Sequence, residues 1–152
     1  MSIPVFRRAT RDDLTAIVAL LADDPLGKSR EDSRLPLDSG YLSAFTAMDA
    51  DPNQFPLVVE QHGIVVGYLQ LSFIPGLSHK GRWRGQIESV RVAAHLRSAG
   101  LGKDMLKWAV GRCRARGCGI VQLTTDKERP DALRFYENLG FTASHEGLKL
   151  RI

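Results

Sequence analysis

A short segment with two glycines contains the residues whose types and spacing most clearly allow chemistry. Its residues are Arg97, Ser98, Ala99, Gly100, Leu101, Gly102 and Lys103. A turn that leads into a helix leaves backbone N–H groups unpaired at the positive end of the helix dipole, and glycine lets a ligand approach them closely. Arg97 and Lys103 add positive charge beside these groups. The segment therefore predicts an anion site suited to phosphate oxygens.

Two better-known phosphate motifs do not fit this spacing. A nucleotide P-loop requires serine or threonine after its lysine, whereas Asp104 follows Lys103. The dinucleotide fingerprint requires a third glycine where this chain has Met105. Two glycines before a helix are also compatible with a purely structural connection, so other segments must decide between the two interpretations.

The hydrophobic pattern predicts an α/β domain that places this segment between a strand and a helix. A capping box at Thr10 and Asp13 begins a first helix that ends near Ala22, and His62-Gly63 favours a hairpin turn. The other predicted helices are Leu37–Met48, Gly102–Arg116 and Pro130–Leu139. The predicted strands are Val5–Ala9, Phe55–Gln61, Ile64–Phe73, Gln86–Val92, Ile120–Thr125, Phe141–Ser144 and Leu148–Ile152.

The 152-residue chain has the composition of one soluble globular domain. It is 43% hydrophobic and 25% charged with a net charge of +4, and apolar residues recur from end to end, which excludes disorder. With only two cysteines it is not a disulfide-dense scaffold. No apolar run approaches the roughly 18 residues of a membrane span and no secretory signal is evident, so we expect a cytoplasmic protein without a membrane partner. Cys113 and Cys118 lack zinc-site spacing, and we expect small, mostly buried thiols and no metal.

Two segments together resemble the acetyl-CoA motifs of the GCN5-related N-acetyltransferase (GNAT) family. The first is Arg97-x-x-Gly100-x-Gly102 after a valine-rich strand. The second, residues 132–141, reads ALRFYENLGF and is similar to the family's second cofactor-binding helix. The resemblance implies a single N-acetyltransferase domain over residues 1–152. Its central sheet would be mixed, mostly antiparallel, flanked by helices and splayed between strands 4 and 5.

The resemblance also implies that acetyl-CoA is the cosubstrate. In this family the backbone amides of residues 97–102 hold the pyrophosphate, and the strand that ends at Val92 binds the pantetheine arm where it separates from Leu123–Thr125. Asp126 departs from the asparagine that the family often has at this position. The implied cofactor-binding residues are Val90, Arg91, Val92, Arg97, Ser98, Ala99, Gly100, Leu101, Gly102, Lys103, Ala132 and Phe135.

The implied reaction is transfer of an acetyl group from the thioester to a primary amine of a small molecule or peptide, by direct attack in a ternary complex. Tyr136 matches the family's acid position, and a phenol is protonated at pH 7. The structural alternative is that this ring only packs its helix onto the sheet. The backbone N–H of Val90 is the implied donor to the oxyanion of the intermediate.

Glu88 is the candidate base that takes a proton from the amine. A carboxylate in an otherwise apolar strand is unfavourable unless it is paired or functional. A salt bridge to Arg82, Arg84 or Arg91 is the structural alternative. Whether Glu88, Gln86 or a water takes the proton stays open, because an ordinary carboxylate is a weak base for this step.

Two other functions remain compatible with the sequence. A domain of this kind could bind CoA as a sensor without catalysis. The basic loop Arg82-Trp83-Arg84 could bind nucleic acid or another anion, but one short patch offers few phosphate contacts, so we do not expect a nucleic-acid partner. The same loop could form a wall for an anionic acceptor, contact a second copy in a homodimer, or lie exposed. The segment Asp23–Asp38, where the family often builds its acceptor pocket, does not identify the amine.

Overall fold

The computed structural model describes residues 2–152 as two compact units, one that ends at Gln122 and one over Leu123–Ile152. The strands are β1 Val5–Arg8, β2 Gln54–Gln61, β3 Ile64–Ile74, β4 Arg84–Val92 and β5 Ile120–Leu123. The helices are α1 Leu14–Ala22, α2 Ser39–Ala50, the short turn α3 Ser78–Gly81, α4 Leu101–Ala115 and α5 Pro130–Asn138. The predicted α/β class is confirmed.

The five strands form one open mixed sheet in the order β1-β2-β3-β4-β5. The pairs from β1 to β4 are antiparallel, whereas β5 runs parallel to β4 after the crossover through α4. The predicted hairpin joins β2 to β3 at His62-Gly63, whose φ angles of 53° and 75° suit a tight turn. The mostly antiparallel sheet expected from the sequence is therefore present.

One face of the sheet forms the main apolar core with α4. Alternation along the strands puts Leu69, Leu71 and Ile87 on this face, and each is at most 1% exposed. At two glycine positions the absence of a side chain lets α4 approach the sheet closely. A Cβ on Gly67 would lie 2.8 Å from Met105 Sδ, and a Cβ on Gly85 would overlap with Cys113 Sγ. The buried, free Cys113 confirms the expectation of a packed thiol.

The opposite face is covered by α1 and α2 over part of its width. The buried side chains there include Leu14 and Ile17 of α1, Phe45 of α2, Val58 of β2 and Tyr68 of β3. Helix α2 begins at Ser39 rather than at the predicted Leu37, because Asp38 Oδ1 accepts a hydrogen bond from the Gly40 backbone N–H at 2.8 Å and caps the helix.

A charged cluster fixes the start of α1. Asp13 accepts a hydrogen bond from the Thr10 backbone N–H at 2.7 Å, and its two oxygens accept from Arg7 at 2.8 and 2.9 Å. Arg7 also donates to Glu60 Oε2 at 2.8 Å. The hydrogen bond from Arg7 is the largest cause that holds the pKa of Asp13 below its ordinary value. The predicted capping box is confirmed, and it connects β1, β2 and α1.

The last residues of the chain differ from the prediction. Helix α5 ends at Asn138, and Gly140 follows with a φ of 96°. The strands predicted at Phe141–Ser144 and Leu148–Ile152 are wrong, since neither segment has regular secondary structure. Alternating apolar residues predict a strand, but a strand forms only where a neighbour satisfies its backbone. No helix within residues 2–152 is long and apolar enough to cross a membrane.

Candidate functional site

The glycine segment of the first unit adopts the turn that the sequence predicts. Gly100 caps α4 with a φ of 91°, and Ser98 has a φ of 66°. The backbone N–H groups of Leu101, Gly102 and Lys103 find no acceptor within residues 2–152, because they lie in the first turn of the helix. This 15-residue helix directs the positive end of its dipole towards them. The geometry can hold an anion against the backbone.

Two arginines connect this region to the end of α1. Arg97 Nη2 donates to the Asp23 carbonyl oxygen at 2.7 Å, and Arg97 Nε donates to the Val92 carbonyl oxygen at 3.2 Å. Arg91 and Asp24 form an ion pair at 3.9 Å, with side chains that are only 13% and 9% exposed. The start of the loop predicted to build the acceptor pocket is therefore attached to β4 and to the glycine segment.

A β-bulge interrupts β4 at its centre. Ser89 has a φ of 56°, and the pairing with β3 shifts so that Ser89 and Val90 lie opposite Leu69. A bulge takes backbone groups out of the ladder, which the predicted oxyanion role of Val90 requires. The bulge also separates Glu88 from the strand end at Val92. Sequence reasoning missed it because a serine does not signal a positive φ.

Glu88 is exposed and has no salt bridge to the three arginines considered from the sequence, as far as residues 2–152 show. Arg91 pairs with Asp24 instead. Burial, with a smaller contribution from the negative charge of Glu88, raises the pKa of Tyr68 to about 12. Glu88 thus lies at the edge of the apolar cluster that contains the Tyr68 ring.

A strip of polar side chains crosses the sheet face that carries Glu88. Strand pairing puts Gln70 opposite Glu88 and Ser72 opposite Gln86. Gln54 Oε1 accepts hydrogen bonds from Gln70 Nε2 at 3.0 Å and Ser72 Oγ at 2.9 Å. Gln122 Nε2 donates to Gln86 Oε1 at 2.6 Å. We define the polar strip as Gln54, Gln70, Ser72, Gln86, Glu88 and Gln122.

The sequence identified only two members of the polar strip, Gln86 and Glu88. The other four lie on β2, β3 and β5, where single polar residues among apolar ones resemble an ordinary solvent-facing position. Their grouping depends on the register between four strands, which no single segment reveals.

In the second unit, Tyr136 lies in an aromatic cluster. Its ring packs edge-to-face against Phe135, with centroids 5.1 Å apart, and against Phe141 at 6.0 Å. The packing role considered for Tyr136 is therefore present, and its ring is half-buried. Ala132 and Phe135 are also half-buried. The acid role of Tyr136 and the cofactor contacts of Ala132 and Phe135 stay predictions.

The turn α3, which immediately precedes the basic loop, has an unusual backbone. His79, Lys80 and Gly81 have successive φ angles of 52°, 61° and 78°. The Arg82 side chain packs against Gly119, where an added Cβ would lie 2.7 Å from its Cγ. Arg84 is half-buried, and its side chain forms no hydrogen bond or ion pair within residues 2–152. The loop thus positions one arginine by packing and leaves the next without an anionic partner in the described chain.

Known proteins are similar to this chain in sequence and in fold. The model of the acetyltransferase (GNAT) family matches residues 14–141. An aminoalkylphosphonate N-acetyltransferase of Salmonella typhimurium is 30% identical over 145 residues, which cover 95% of this chain and 89% of that protein. A transcriptional regulator from Bacillus halodurans C-125 has a crystal structure that is 47% identical, with a TM-score of 0.96 over 99% of this chain and 100% of that chain.

A more distant structure shares the fold alone. It is a predicted acetyltransferase from Clostridium acetobutylicum, solved with acetyl-CoA, with 20% identity and a TM-score of 0.76 over 98% of this chain and 96% of that chain. The family match extends from α1 beyond α5 and includes the glycine segment and β4. The resemblance seen in the sequence and the expectation of an N-acetyltransferase enzyme are confirmed at the level of the family. The chain belongs to the acetyltransferase (GNAT) family.

Proposed function

We propose that this protein transfers an acetyl group from acetyl-CoA to the primary amine of a small molecule, by direct attack in a ternary complex. The N-terminus of α4 carries the proposal. Three backbone N–H groups that find no acceptor in residues 2–152, beside the left-handed Ser98 and Gly100, form a site that suits the pyrophosphate of CoA. Arg97 and Lys103 supply positive charge for the phosphates.

The bulge in β4 supports acetyl transfer beside Val90. In the proposal, β4 residues Val90, Arg91 and Val92 bind the pantetheine arm through their backbone. The Val90 N–H then donates to the carbonyl oxygen of the thioester, whose negative charge grows as the amine attacks. Such a donor acts only where the strand pairing leaves it available, and the pairing is interrupted here.

Two side chains would move the protons. Glu88 accepts a proton from the ammonium group of the acceptor, directly or through a water, since only the neutral amine attacks. Its exposed position without a salt bridge in residues 2–152 leaves the carboxylate available for this step. Tyr136 donates a proton to the CoA thiolate as it leaves. In this exchange the acetyl carbon gives up its bond to sulfur and forms a bond to the amine nitrogen. The nitrogen releases its second proton through solvent to the Tyr136 phenolate, and Glu88 returns its proton to solvent, so that one proton is released for each acetyl group transferred.

Direct attack is favoured over a covalent acetyl-enzyme by the state of the buried thiol. Burial, and to a lesser degree Cys118, raises the pKa of Cys113 to about 12. A thiol with such a pKa has almost no thiolate at pH 7, and the thiolate is the nucleophile. Cys113 is also only 1% exposed and packs against Gly85. We therefore expect the amine to attack acetyl-CoA without an intermediate on Cys113.

Nucleic-acid binding is a second candidate, because the 47% identical structure is described as a transcriptional regulator. The basic loop at Arg82 and Arg84 would supply phosphate contacts. Titration of the protein into labelled duplex DNA at about 50 and 200 mM salt tests this candidate. Saturable binding at the higher salt, without acetyl-CoA binding, would favour it over catalysis.

The proposed function is tested by calorimetry with acetyl-CoA, followed by a thiol-release assay over a panel of amines. The panel contains aminoalkylphosphonates, amino sugars, amino acids, polyamines and a peptide N-terminus. We expect saturable acetyl-CoA binding, amine-dependent release of CoA and initial-rate lines that intersect, as a ternary complex requires. Parallel lines would contradict direct attack. Binding of acetyl-CoA with no turnover on any amine would favour a sensor.

A further inference from the structure

The alternation of side chains along β4 places Arg84, Gln86 and Glu88 on one face of the sheet. Their partners on β3 are Ile74, Ser72 and Gln70 in the same order. The intervening residues Gly85 and Ile87 are buried on the face that packs against α4. The polar strip therefore has a cation at one end and the candidate base at the other.

Within residues 2–152, Arg84 and its neighbour Arg82 lack the side-chain partners that the other half-buried arginines of the first unit have, and of the two only Arg84 lies on the strand that carries Glu88. Arg7 binds Asp13 and Glu60, and Arg91 pairs with Asp24. Arg84 has no carboxylate or carbonyl partner within residues 2–152. A guanidinium that is partly removed from water without an anion loses hydration and gains no hydrogen bonds in return. An external anion would supply the missing partners, and the planar guanidinium suits two oxygens of one anion.

The side chains between Arg84 and Glu88 are held in place and still have free capacity. The Gln122 amide fixes Gln86 through its Oε1, so that Gln86 Nε2 is free to donate. Gln70 donates to Gln54, which leaves Gln70 Oε1 free to accept. Neutral amides can donate to the anionic end of a ligand or accept from its ammonium end without adding a charge of their own.

The separation of the two ends fits a small molecule. Arg84 and Glu88 are four residues apart on one strand, which corresponds to about 13 Å between their Cα atoms. Both side chains are long and project from the same face, so their charged groups can approach each other more closely than their Cα atoms do. The amine of one ligand can then lie at Glu88 while an anionic group of the same ligand reaches Arg84.

We propose that the polar strip is the acceptor site and that Arg84 binds an oxyanion on the acceptor. The acceptor class is a primary amine that carries a phosphonate, phosphate or carboxylate group at its far end. This inference rests on the proposed acetyl transfer and adds the residue that selects the acceptor. Arg84 acts on binding of the acceptor and takes no part in bond formation.

The test compares matched acceptors in the thiol-release assay. The anionic series consists of ω-aminoalkylphosphonates and ω-amino acids with two to five methylene groups, and the neutral series consists of n-alkylamines of the same length. For the wild-type protein we expect kcat/KM at least ten times higher for the best anionic acceptor than for its neutral match. The comparison of phosphonates with carboxylates identifies the preferred oxyanion.

The variants Arg84→Gln and Arg82→Gln separate Arg84 from its neighbour. We expect Arg84→Gln to raise KM for the anionic acceptor about 10- to 100-fold, as loss of a charged hydrogen bond does, with the neutral amine and acetyl-CoA affected less than twofold. Arg82→Gln removes an equal charge from the same loop and should change each KM less than twofold. Arg84→Lys should restore part of the preference.

Three results would overturn the inference. One is a wild-type kcat/KM for neutral amines equal to that for anionic ones. Such a result would be compatible with acetyl transfer but would contradict an anion site at Arg84. Another is an equal effect of Arg84→Gln on both series. The third is the absence of turnover on every amine, which would remove the proposed function as well. If Arg84→Gln melts below the assay temperature, the wild-type KM values at 50 and 300 mM KCl decide: added salt should raise KM for the anionic acceptor several-fold more than KM for its neutral match, because both amines share the ammonium group at Glu88 and only the first has an anion to lose. Equal salt effects on the two would overturn the inference.

Discussion

Arg97 reaches back from the glycine segment to the end of α1, where its Nη2 donates to the Asp23 carbonyl oxygen at 2.7 Å and lies 3.4 Å from Asp23 Oδ2. In the proposed function this side chain would have two competing tasks. It can hold the loop that follows α1, or it can contact a phosphate of the cofactor. Because both Arg97 and Asp23 are about half-exposed, a dianionic or trianionic ligand can displace the single carboxylate.

The first prediction concerns this competition. Arg97→Ala should raise KM for acetyl-CoA about tenfold or more, since it removes a charged hydrogen bond to phosphate. Asp23→Asn removes the competing charge and should leave that KM unchanged or lower it. Steady-state kinetics at fixed, saturating amine measures both. Equal and small effects of the two variants would mean that Arg97 serves the loop and not the cofactor.

A second prediction concerns the phenol of Tyr136. Tyr136→Phe should lower kcat about 100-fold, within the range of general acid catalysis, with KM for acetyl-CoA little changed. Phenylalanine keeps the ring packing against Phe135 and Phe141, so the melting temperature should stay within a few degrees of the wild type. A wild-type kcat in this variant would leave Tyr136 with the packing role alone.

For Glu88 the expected change lies in the pH profile. The wild-type rate should fall on the acidic side, where the base becomes protonated. Glu88→Gln should lower kcat about 100-fold and abolish that acidic limb. Glu137→Gln, at an exposed position on α5, is the matched control and should preserve both rate and profile. An acidic limb that persists in Glu88→Gln would assign the base to another group.

Packing between β4 and α4 gives a stability prediction. Gly85→Ala places a Cβ against Cys113 Sγ and should reduce the free energy of unfolding by about 1–3 kcal/mol. Adding Cys113→Ala should recover part of that loss, because the overlapping sulfur is gone. Gly111→Ala, in the middle of α4, should be neutral or stabilising by up to about 1 kcal/mol, because beyond its own helix backbone no atom of residues 2–152 lies within 4 Å of the added Cβ. Strictly additive effects of Gly85→Ala and Cys113→Ala would refute this contact.

The pH dependence of stability follows from Asp13. Its pKa in the folded protein is lowered, chiefly by Arg7, so its contribution is complete above the unfolded pKa of about 4 and disappears as the pH falls through the folded pKa. Asp13→Asn should therefore cost about 1.5–3 kcal/mol at pH 7 and less at pH 3. Urea unfolding at both pH values measures this, with the exposed Asp12→Asn as control. A cost that does not shrink at pH 3 would contradict the ion-pair account.

Local signals in the sequence were sufficient for most of the fold. The capping box at Thr10, the hairpin glycine Gly63 and the glycine turn before α4 each depend on a few adjacent residues, and the structure contains all three. The resemblance to the family rested on the same kind of local pattern. Features that depend on neighbours in sequence could therefore be predicted without the tertiary structure.

Features that depend on distant residues could not be predicted in this way. The bulge at Ser89 arises from the pairing of β4 with β3, and Ser89 alone gives no sign of it. The terminal segment around Leu150 has a strand pattern but no regular structure, because local alternation cannot supply a pairing partner. The polar strip likewise required the register of four strands. In each case the missing information was which strands pair and in which register.

The central claim is most directly tested by mass spectrometry of the products formed from acetyl-CoA and 3-aminopropylphosphonate, together with measurement of the released thiol. The account predicts one N-acetylated amine for each CoA released, enzyme-dependent and with no acetylated protein intermediate. Release of CoA without the N-acetyl product, or no acetyl-CoA consumption with any amine of the panel, would contradict it.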